Sequence, residues 1–319
     1  MKVRALILVA ALLTPFVPAQ GVEPVRIGIA YDTGGIGDQS FNDAAAAGLA
    51  QAQKVVQVNI DATVTDGSVK NREARIRSLI AKGDNPIMAI GSGYAPTILK
   101  LSLEYPQIQF AIMNDGSVEG LDVTSIVFGE IQGAYLAGVT AAYASKSGKV
   151  SMIAAPSQSA LYEKGFSAGV AATKKNVRAS VQYVTANPAA ATKKVLSAGS
   201  DVVFISIPGS VTDAFKEIVK AKAGLISVEP DQFITVTSST KKYLYAIVEK
   251  RVDLAMKQWV IATSKGEQFL DFIDEENGIY GRFYGIDNDG VEISLLLPSL
   301  ASQSTAINVV ASSAAKIRG

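Results

Sequence analysis

Short runs rich in Val, Ile and Ala alternate along this chain with longer stretches whose apolar residues recur every three or four positions. That alternation of period-two and helical patterns is the signature of βαβ units and parallel sheets. A first series predicts strands near Val25–Tyr31, Val55–Ile60, Ile87–Ile90 and Ile108–Met113, with helices near Phe41–Lys54, Lys70–Lys82 and Ala95–Leu103. A second predicts strands near Lys149–Ala154, Ser180–Val184, Val202–Ile207 and Leu225–Val228, with helices near Ala160–Lys175, Ala189–Ala198 and Val211–Ala223. One long helical stretch, Ile131–Ser145, joins the two series and suggests two similar α/β lobes. The tail predicts a long helix at Tyr243–Thr263, an acidic Gly-bearing loop, a short strand pair around Arg282–Ile293 and a final helix at Leu300–Lys316. It holds too few strands for a third domain, so it is expected to return to the first two sheets and make a hinge.

The N-terminus changes the setting. Lys2 and Arg4 precede an apolar run from Ala5 to Leu13, and Val17-Pro18-Ala19 offers small residues before Gln20. That is the layout of an export signal over residues 1–19, with an uncleaved anchor as the alternative. The apolar run is about half the ~20 residues a spanning helix needs. The 30 Lys and Arg face 29 Asp and Glu. Without Lys2 and Arg4 no basic surplus remains for phosphate backbones, so no nucleic-acid partner is expected.

The chain has neither cysteine nor histidine. Disulfides, a lipid-bearing cysteine, Ser-His-Asp triads, Cys-His pairs and zinc sites built on those ligands are all excluded. No cofactor is indicated. Chemistry is left to carboxylates, Lys, Tyr and backbone.

The densest signal is Val25–Gly48, VRIGIAYDTGGIGDQSFNDAAAAG. A strand ends at Asp32, a glycine turn follows, and a helix starts near Ser40; ligands of open α/β sheets lie at such strand ends. The dinucleotide fingerprint fails, because from Gly35 its third glycine falls on Ser40. Asp32 and Asp38 would repel a pyrophosphate and suit hydroxyl donors, as in a sugar. Phe41 is either a stacking face for a flat ring or a core aromatic; Asn42 either reads a ligand edge or caps the helix. Comparable polar strand ends recur at Asn114-Asp115-Gly116, Pro208-Gly209-Ser210 and Glu229-Pro230-Asp231-Gln232, and together they are expected to line a cleft. A carboxylate-pair hydrolase is a rival reading, but two acids are too few for a Ca²⁺ cage. A repressor-type regulator would need a basic DNA-binding unit ahead of the lobes.

DTGGIGDQSFNDAAAAGL (Asp32–Leu49), EYPQIQFAIMND (Glu104–Asp115), TSIVFGEIQGAYLAG (Thr124–Gly138), GKVSMIA (Gly148–Ala154), EKGFSAGV (Glu163–Val170), SVEPDQF (Ser227–Phe233) and VEKRVDLAMK (Val248–Lys257) are the segments that carry a resemblance. The chain resembles the basic membrane protein family of ABC-transporter substrate-binding proteins, whose members include bacterial purine-nucleoside receptors. The resemblance implies a type I periplasmic-binding fold, two Rossmann-like three-layer lobes joined by three crossovers. Lobe 1 is expected at 24–129 and 250–284, lobe 2 at 130–249 and 285–319. It also implies an exported, monomeric receptor that closes on a nucleoside and serves an ABC permease in the membrane.

Carried over by position, Asp32 and Asn42 contact the ligand, Phe41 stacks on the base, and Asn114 or Asp115 takes the base-reading acid position. Gly209 offers backbone, Glu229 stands where an aspartate holds ribose hydroxyls, and Lys250 donates to the ribose. The chain departs from the family pattern at three places: Asn114 replaces an acid, Glu229 is one methylene longer than aspartate, and Val184–Pro188 replaces a Gly-Ser-Phe-Asn segment. The last removes a second ring, so a sugar or another small polar ligand in the same fold is the alternative.

Overall fold

The computed structural model describes residues 23–156, 159–269 and 271–317. The export-signal reading lies outside them. In chain order the first strands are β1 (Arg26–Tyr31), β2 (Asn59–Val64), β3 (Ile87–Ile90), β4 (Phe110–Met113) and β5 (Val123–Phe128). Helices α1 (Phe41–Ala52), α2 (Val69–Ala81) and α3 (Ala95–Glu104) connect them, and α4 (Glu130–Ala144) leads out. Next come β6 (Lys149–Ala154), α5 (Ser159–Ala172), β7 (Arg178–Tyr183), α6 (Ala189–Ser197) and β8 (Val202–Ser206). The short β9 (Gly209–Ser210), α7 (Thr212–Ala221), β10 (Gly224–Glu229), β11 (Gln232–Phe233) and β12 (Leu244–Lys250) complete that run. Then follow α8 (Val252–Ser264), β13 (Asp271–Asp274), β14 (Ile279–Tyr284), β15 (Val291–Leu295), α9 (Pro298–Ala301) and α10 (Ser304–Ala311).

The first sheet runs β13-β14-β5-β4-β3-β1-β2 and the second β15-β12-β10-β8-β6-β7. All pairings are parallel except β13 on β14 and β15 on β12, which close an edge of each sheet. The central strands are buried on both faces: every residue of β3, β4 and β8 is inaccessible, which is why they read as plain apolar runs. Helices cover both faces of each sheet, α1 and α8 opposite α2 and α3 in lobe 1, α4 and α5 opposite α6 and α7 in lobe 2. The chain passes between sheets three times: β5 to β6, β12 to β13, and β14 to β15. The type I periplasmic-binding fold expected from the resemblance is the fold observed.

Within lobe 2 a glycine contact fixes the helix packing. α4 and α5 approach so closely that a Cβ on Gly138 would stand 2.2 Å from the Phe166 carbonyl oxygen, and one on Gly169 2.2 Å from that of Tyr135. Only glycine fits there.

Four sequence expectations need correction. The predicted helix Tyr243–Thr263 is strand β12 followed by α8. LYAIVEK alternates buried and half-buried positions between β10 and β15, so its period is two and only the part after Arg251 is helical. β2 lies at Asn59–Val64 rather than Val55–Ile60, because α1 ends at Ala52 and Val55 is 66% exposed in the turn beyond it. The strand pair around Arg282–Ile293 is no pair: β14 joins the first sheet and β15 the second. The final helix is two short ones, with Ser302 and Gln303 between them, and a 3-10 turn at Ser312–Lys316. Among the described residues no helix is long and apolar enough to cross a membrane.

Candidate functional site

Strand direction places the site. The C-terminal ends of the parallel strands of both sheets border one cleft of about 670 Å³, lined from lobe 1 by Asp32, Phe41, Asn114 and Asp115 and from lobe 2 by Gly209 and Asp231, with Glu130 between. That volume lies in the usual range for small-molecule sites.

The loop after β1 is tied to the start of α1. Asp38 accepts from the amides of Ser40 at 2.8 Å, Asn42 at 3.1 Å and Asp43 at 3.2 Å, and from the Asn42 side chain at 2.8 Å. A carboxylate at a helix N-terminus satisfies orphan N–H groups and complements the helix dipole. Asp38 is therefore the cap of α1, with its acceptor capacity spent inside the loop rather than on hydroxyl donors. Asn42 is 2% exposed. Its Oδ1 accepts from the Asp32 amide at 3.0 Å and its Nδ2 donates to Asp38 and to the Thr33 carbonyl at 3.2 Å. Asn42 reaches the cleft wall, yet its amide holds the loop.

Asp32 keeps an acceptor free. Its Oδ1 takes the Thr33 amide at 2.9 Å and an Arg72 guanidinium nitrogen at 2.7 Å. Oδ2 lies beside Gly91, where an added Cβ would come within 3.0 Å of it. Arg72 is itself held by the Gly67 carbonyl at 2.6 Å and lies 5.4 Å from the centre of the Tyr94 ring. Phe41 is half-buried and meets Phe128 edge to face, centroids 6.5 Å apart. Phe128 in turn packs on Tyr284 at 5.7 Å, so Phe41 is supported from behind by rings of lobe 1. Asn114 has a left-handed backbone (φ 63°) and lines the cleft. Asp115 caps the following turn through Ser117, whose amide and hydroxyl donate to its Oδ1 at 2.8 and 2.6 Å. Gly209 (φ 93°) donates its N–H to the Asp231 carbonyl at 2.8 Å, which ties two lobe 2 cleft segments together.

Two of the expected residues are not on the cleft wall. Glu229, at the end of β10, is exposed and sits opposite Glu249 of β12. The acid that lobe 2 presents is Asp231, two residues on and 11% exposed. Lys250 lies beneath the floor, 4% exposed, with Nζ 2.5 Å from Asp231, 2.9 Å from Glu130 and 3.4 Å from Asn114 Oδ1. Burial works against its charge, but Asp231 and Glu130 outweigh that penalty and hold its pKa above the ordinary lysine value. Burial also pushes the Asp231 carboxyl up, with Glu130 adding to the effect and Lys250 opposing it. The lysine thus braces two cleft carboxylates and reaches across to lobe 1 through Asn114. Ser40 of lobe 1 also donates its hydroxyl to the Pro230 carbonyl of lobe 2.

Sequence reasoning included Asp231 in the cleft-lining segment Glu229–Gln232 but gave the acid's role to Glu229, and it missed Glu130, Phe128 and Arg72. Arg72 left a trace: cations at Lys70 and Arg72 near the positive end of α2 are unfavourable unless a partner elsewhere takes them.

With this geometry in hand, comparison with known proteins is specific. Residues 26–316 match the family Bmp, described as ABC transporter substrate-binding protein PnrA-like. The chain belongs to this family. It is therefore an ABC-transporter substrate-binding protein, a class that works outside the cytoplasm. A CD4+ T-cell-stimulating antigen of Listeria innocua is 30% identical over 296 residues, spanning 84% of this chain and 79% of that one. The ABC transporter nucleoside-binding protein BmpA of Lactococcus lactis subsp. cremoris is 28% identical over 227 residues, 65% of this chain and 64% of its own. An ABC transporter solute-binding protein from Aeropyrum pernix K1 superposes with TM-score 0.64 at 17% identity, covering 92% and 85% of the two chains. A transcriptional activator of comK from Bacillus halodurans gives TM-score 0.70 at 19% identity, covering 90% and 96%. At such identities the solved structures speak for the fold alone, which serves both transport and regulation.

Proposed function

We propose that the solute is a nucleoside, gripped when the two lobes close and passed to a membrane permease when they open. The observation that carries this reading is a cleft wall that combines an aromatic ring, Phe41, with the acceptor groups of Asp32, Asp115 and Asp231. A flat base suits the ring; base amino groups and sugar hydroxyls are donors and suit carboxylates. The name of the Lactococcus relative supports the same ligand class.

The magnitudes close. A micromolar complex needs about 8 kcal/mol. One stacked ring at ~1–3 kcal/mol and two or three hydrogen bonds to charged groups at ~1.5–3 kcal/mol each supply it in a dry cleft. Closure provides the dryness, since in water the same bonds are exchanged almost evenly.

One observation favours a second reading, a free sugar: the described lobe 2 lining is Pro208, Gly209 and Asp231, with no ring opposite Phe41. Calorimetric titration with adenosine, guanosine, inosine, ribose and simple sugars separates the two. Nucleoside binding that weakens in Phe41→Ala and Asp32→Ala supports the proposal. Equal binding by wild type and both variants removes this site, and sugar binding without nucleoside binding replaces the ligand.

A further inference from the structure

The two lobes share one architecture but not one charge. Residues 130–251 hold 15 Lys and Arg against 8 Asp and Glu, whereas 26–129 hold 8 against 11. The surplus is not spread over lobe 2. Because β6, β7, β8, β10 and β12 are parallel, their starting ends share one edge of the sheet, opposite the cleft.

Lys146 and Lys149 flank the start of β6, and Lys174, Lys175 and Arg178 the start of β7. Lys220 and Lys222 precede β10, and Lys241 and Lys242 precede β12. All nine are exposed, and among the described residues none pairs with a carboxylate. The acid at the start of β8, Asp201, is spent on the Ser145 hydroxyl and the amides of Lys146 and Ser147. In lobe 1 the corresponding end is neutralised: Arg26 and Lys82 both pair with Asp61.

Helix dipoles do not explain the difference. Cations near helix C-termini are stabilising, and α4 to α7 end at this edge. However, the helices of lobe 1 end the same way with no such surplus; Lys149 and Arg178 belong to strands, and Lys241 and Lys242 to a single 3-10 turn with no helix length to build a dipole. Net repulsion among unpaired cations is a cost that an external anionic partner would relieve.

We infer that the lobe 2 pole opposite the cleft is an electrostatic docking surface for an anionic phospholipid bilayer. The chemistry favours a diffuse, flat anion over a discrete one. Eight of the nine are lysines, which act as point charges, where arginine would give bidentate phosphate recognition. They spread along a five-strand edge, from the start of β12 to that of β7, on the order of 20 Å at the usual strand spacing. Leu296, 38% exposed, lies on the same edge next to Tyr245 and suits a headgroup boundary better than a polyanion. Such docking would concentrate the receptor on the surface that carries its permease while leaving the cleft free. This inference goes beyond the nucleoside reading and does not depend on it.

The test is co-sedimentation with vesicles of phosphatidylcholine alone or mixed with phosphatidylglycerol, at low and high salt. Wild type is compared with a quadruple charge reversal, Lys174→Glu, Lys175→Glu, Lys241→Glu and Lys242→Glu, and with the four Lys→Gln changes. Wild type should bind the anionic vesicles, release in high salt, and ignore phosphatidylcholine. At roughly fivefold per lysine near an anionic surface, the four Gln changes should weaken partitioning by several hundredfold, and the reversal by more. Any effect of the N-terminal segment, with Lys2 and Arg4, is common to all three proteins, so the differences between them report the pole alone. If the reversal fails to fold, the Gln set decides. Equal partitioning on both lipids, variants that bind like wild type, or binding to DNA or an acidic polysaccharide without binding to vesicles would each overturn the inference.

Discussion

Lys250→Met tests the electrostatics beneath the cleft. The substitution keeps an unbranched side chain of similar length and deletes the Nζ that stands 2.5 Å from Asp231 and 2.9 Å from Glu130. Removing one member of a buried pair costs about 3–5 kcal/mol, because the remaining charge is stranded. Asp231 is 11% exposed but Glu130 is 29% exposed, so water takes up part of the loss. The expected destabilisation is therefore at the lower end, about 3 kcal/mol at neutral pH. At roughly 2 °C per kcal/mol for a chain of this size, Tm falls by about 6 °C.

The pH dependence carries a sign. Lys250 has a raised pKa in the folded protein, so its contribution is complete at neutral pH and is lost only as pH rises through that raised value. Asp231 also has a raised pKa, chiefly from burial. A carboxyl raised on folding favours the folded state in acid and loses that benefit as pH rises through its folded pKa. Without Lys250 to oppose it, the Asp231 value climbs further. The gap between wild type and variant should thus be widest near neutrality and shrink as pH falls through the carboxylate range. Denaturant titrations at neutral pH and about pH 5 measure it, and adding Asp231→Asn to Lys250→Met should recover part of the loss. A deficit under about 0.5 kcal/mol at neutral pH, within the noise of ordinary surface changes, would refute the bracing role, as would a gap that widens in acid.

The other predictions rest on single contacts. Gly138→Ala places a Cβ against the Phe166 carbonyl and should cost about 1–3 kcal/mol in denaturant unfolding, since α4 and α5 must separate; an unchanged midpoint refutes the contact. Asp38→Ala uncaps α1 and should lower stability by about 1–2 kcal/mol even without ligand. Arg72→Gln leaves the Asp32 carboxylate unclamped and should weaken ligand binding about tenfold in calorimetry, with Arg72→Lys closer to wild type. Asp231→Asn should weaken binding by a similar factor of about ten, and Glu229→Gln should leave it unchanged; the reverse order would return the acid position to Glu229.

The strands that the sequence places most closely are those buried on both faces. IGIAY of β1, IMAI of β3 and the VVFI of β8 read as apolar runs because helices cover both sides. β5, VTSIVF, carries Thr124 and Ser125 and went unnoticed, although Ser125 is fully buried in the sheet. β12 was lost for another reason: its period-two pattern runs into the helical pattern of α8 with only Arg251 between them. Where two periods abut without a glycine or proline, the stronger helical signal absorbs the strand.

The cleft was legible for the same reason that its details were not. Parallel strands bring all their C-terminal ends to one edge, so polar strand ends read from sequence belong to one place. Past the last paired residue, however, side-chain direction is set by the turn. Glu229 and Asp231 are two positions apart, and the intervening Pro230 leaves one beside Glu249 and turns the other into the cleft. Lys250 shows the limit most sharply, since lysine is among the residues least often buried and nothing local marks this one. Its charge is tolerable only because Glu130, Asp231 and Asn114 arrive from three other segments. A buried cation is a property of the assembled fold. The route to it runs through the excess of acids gathered at the cleft, which needs a neutralising partner below.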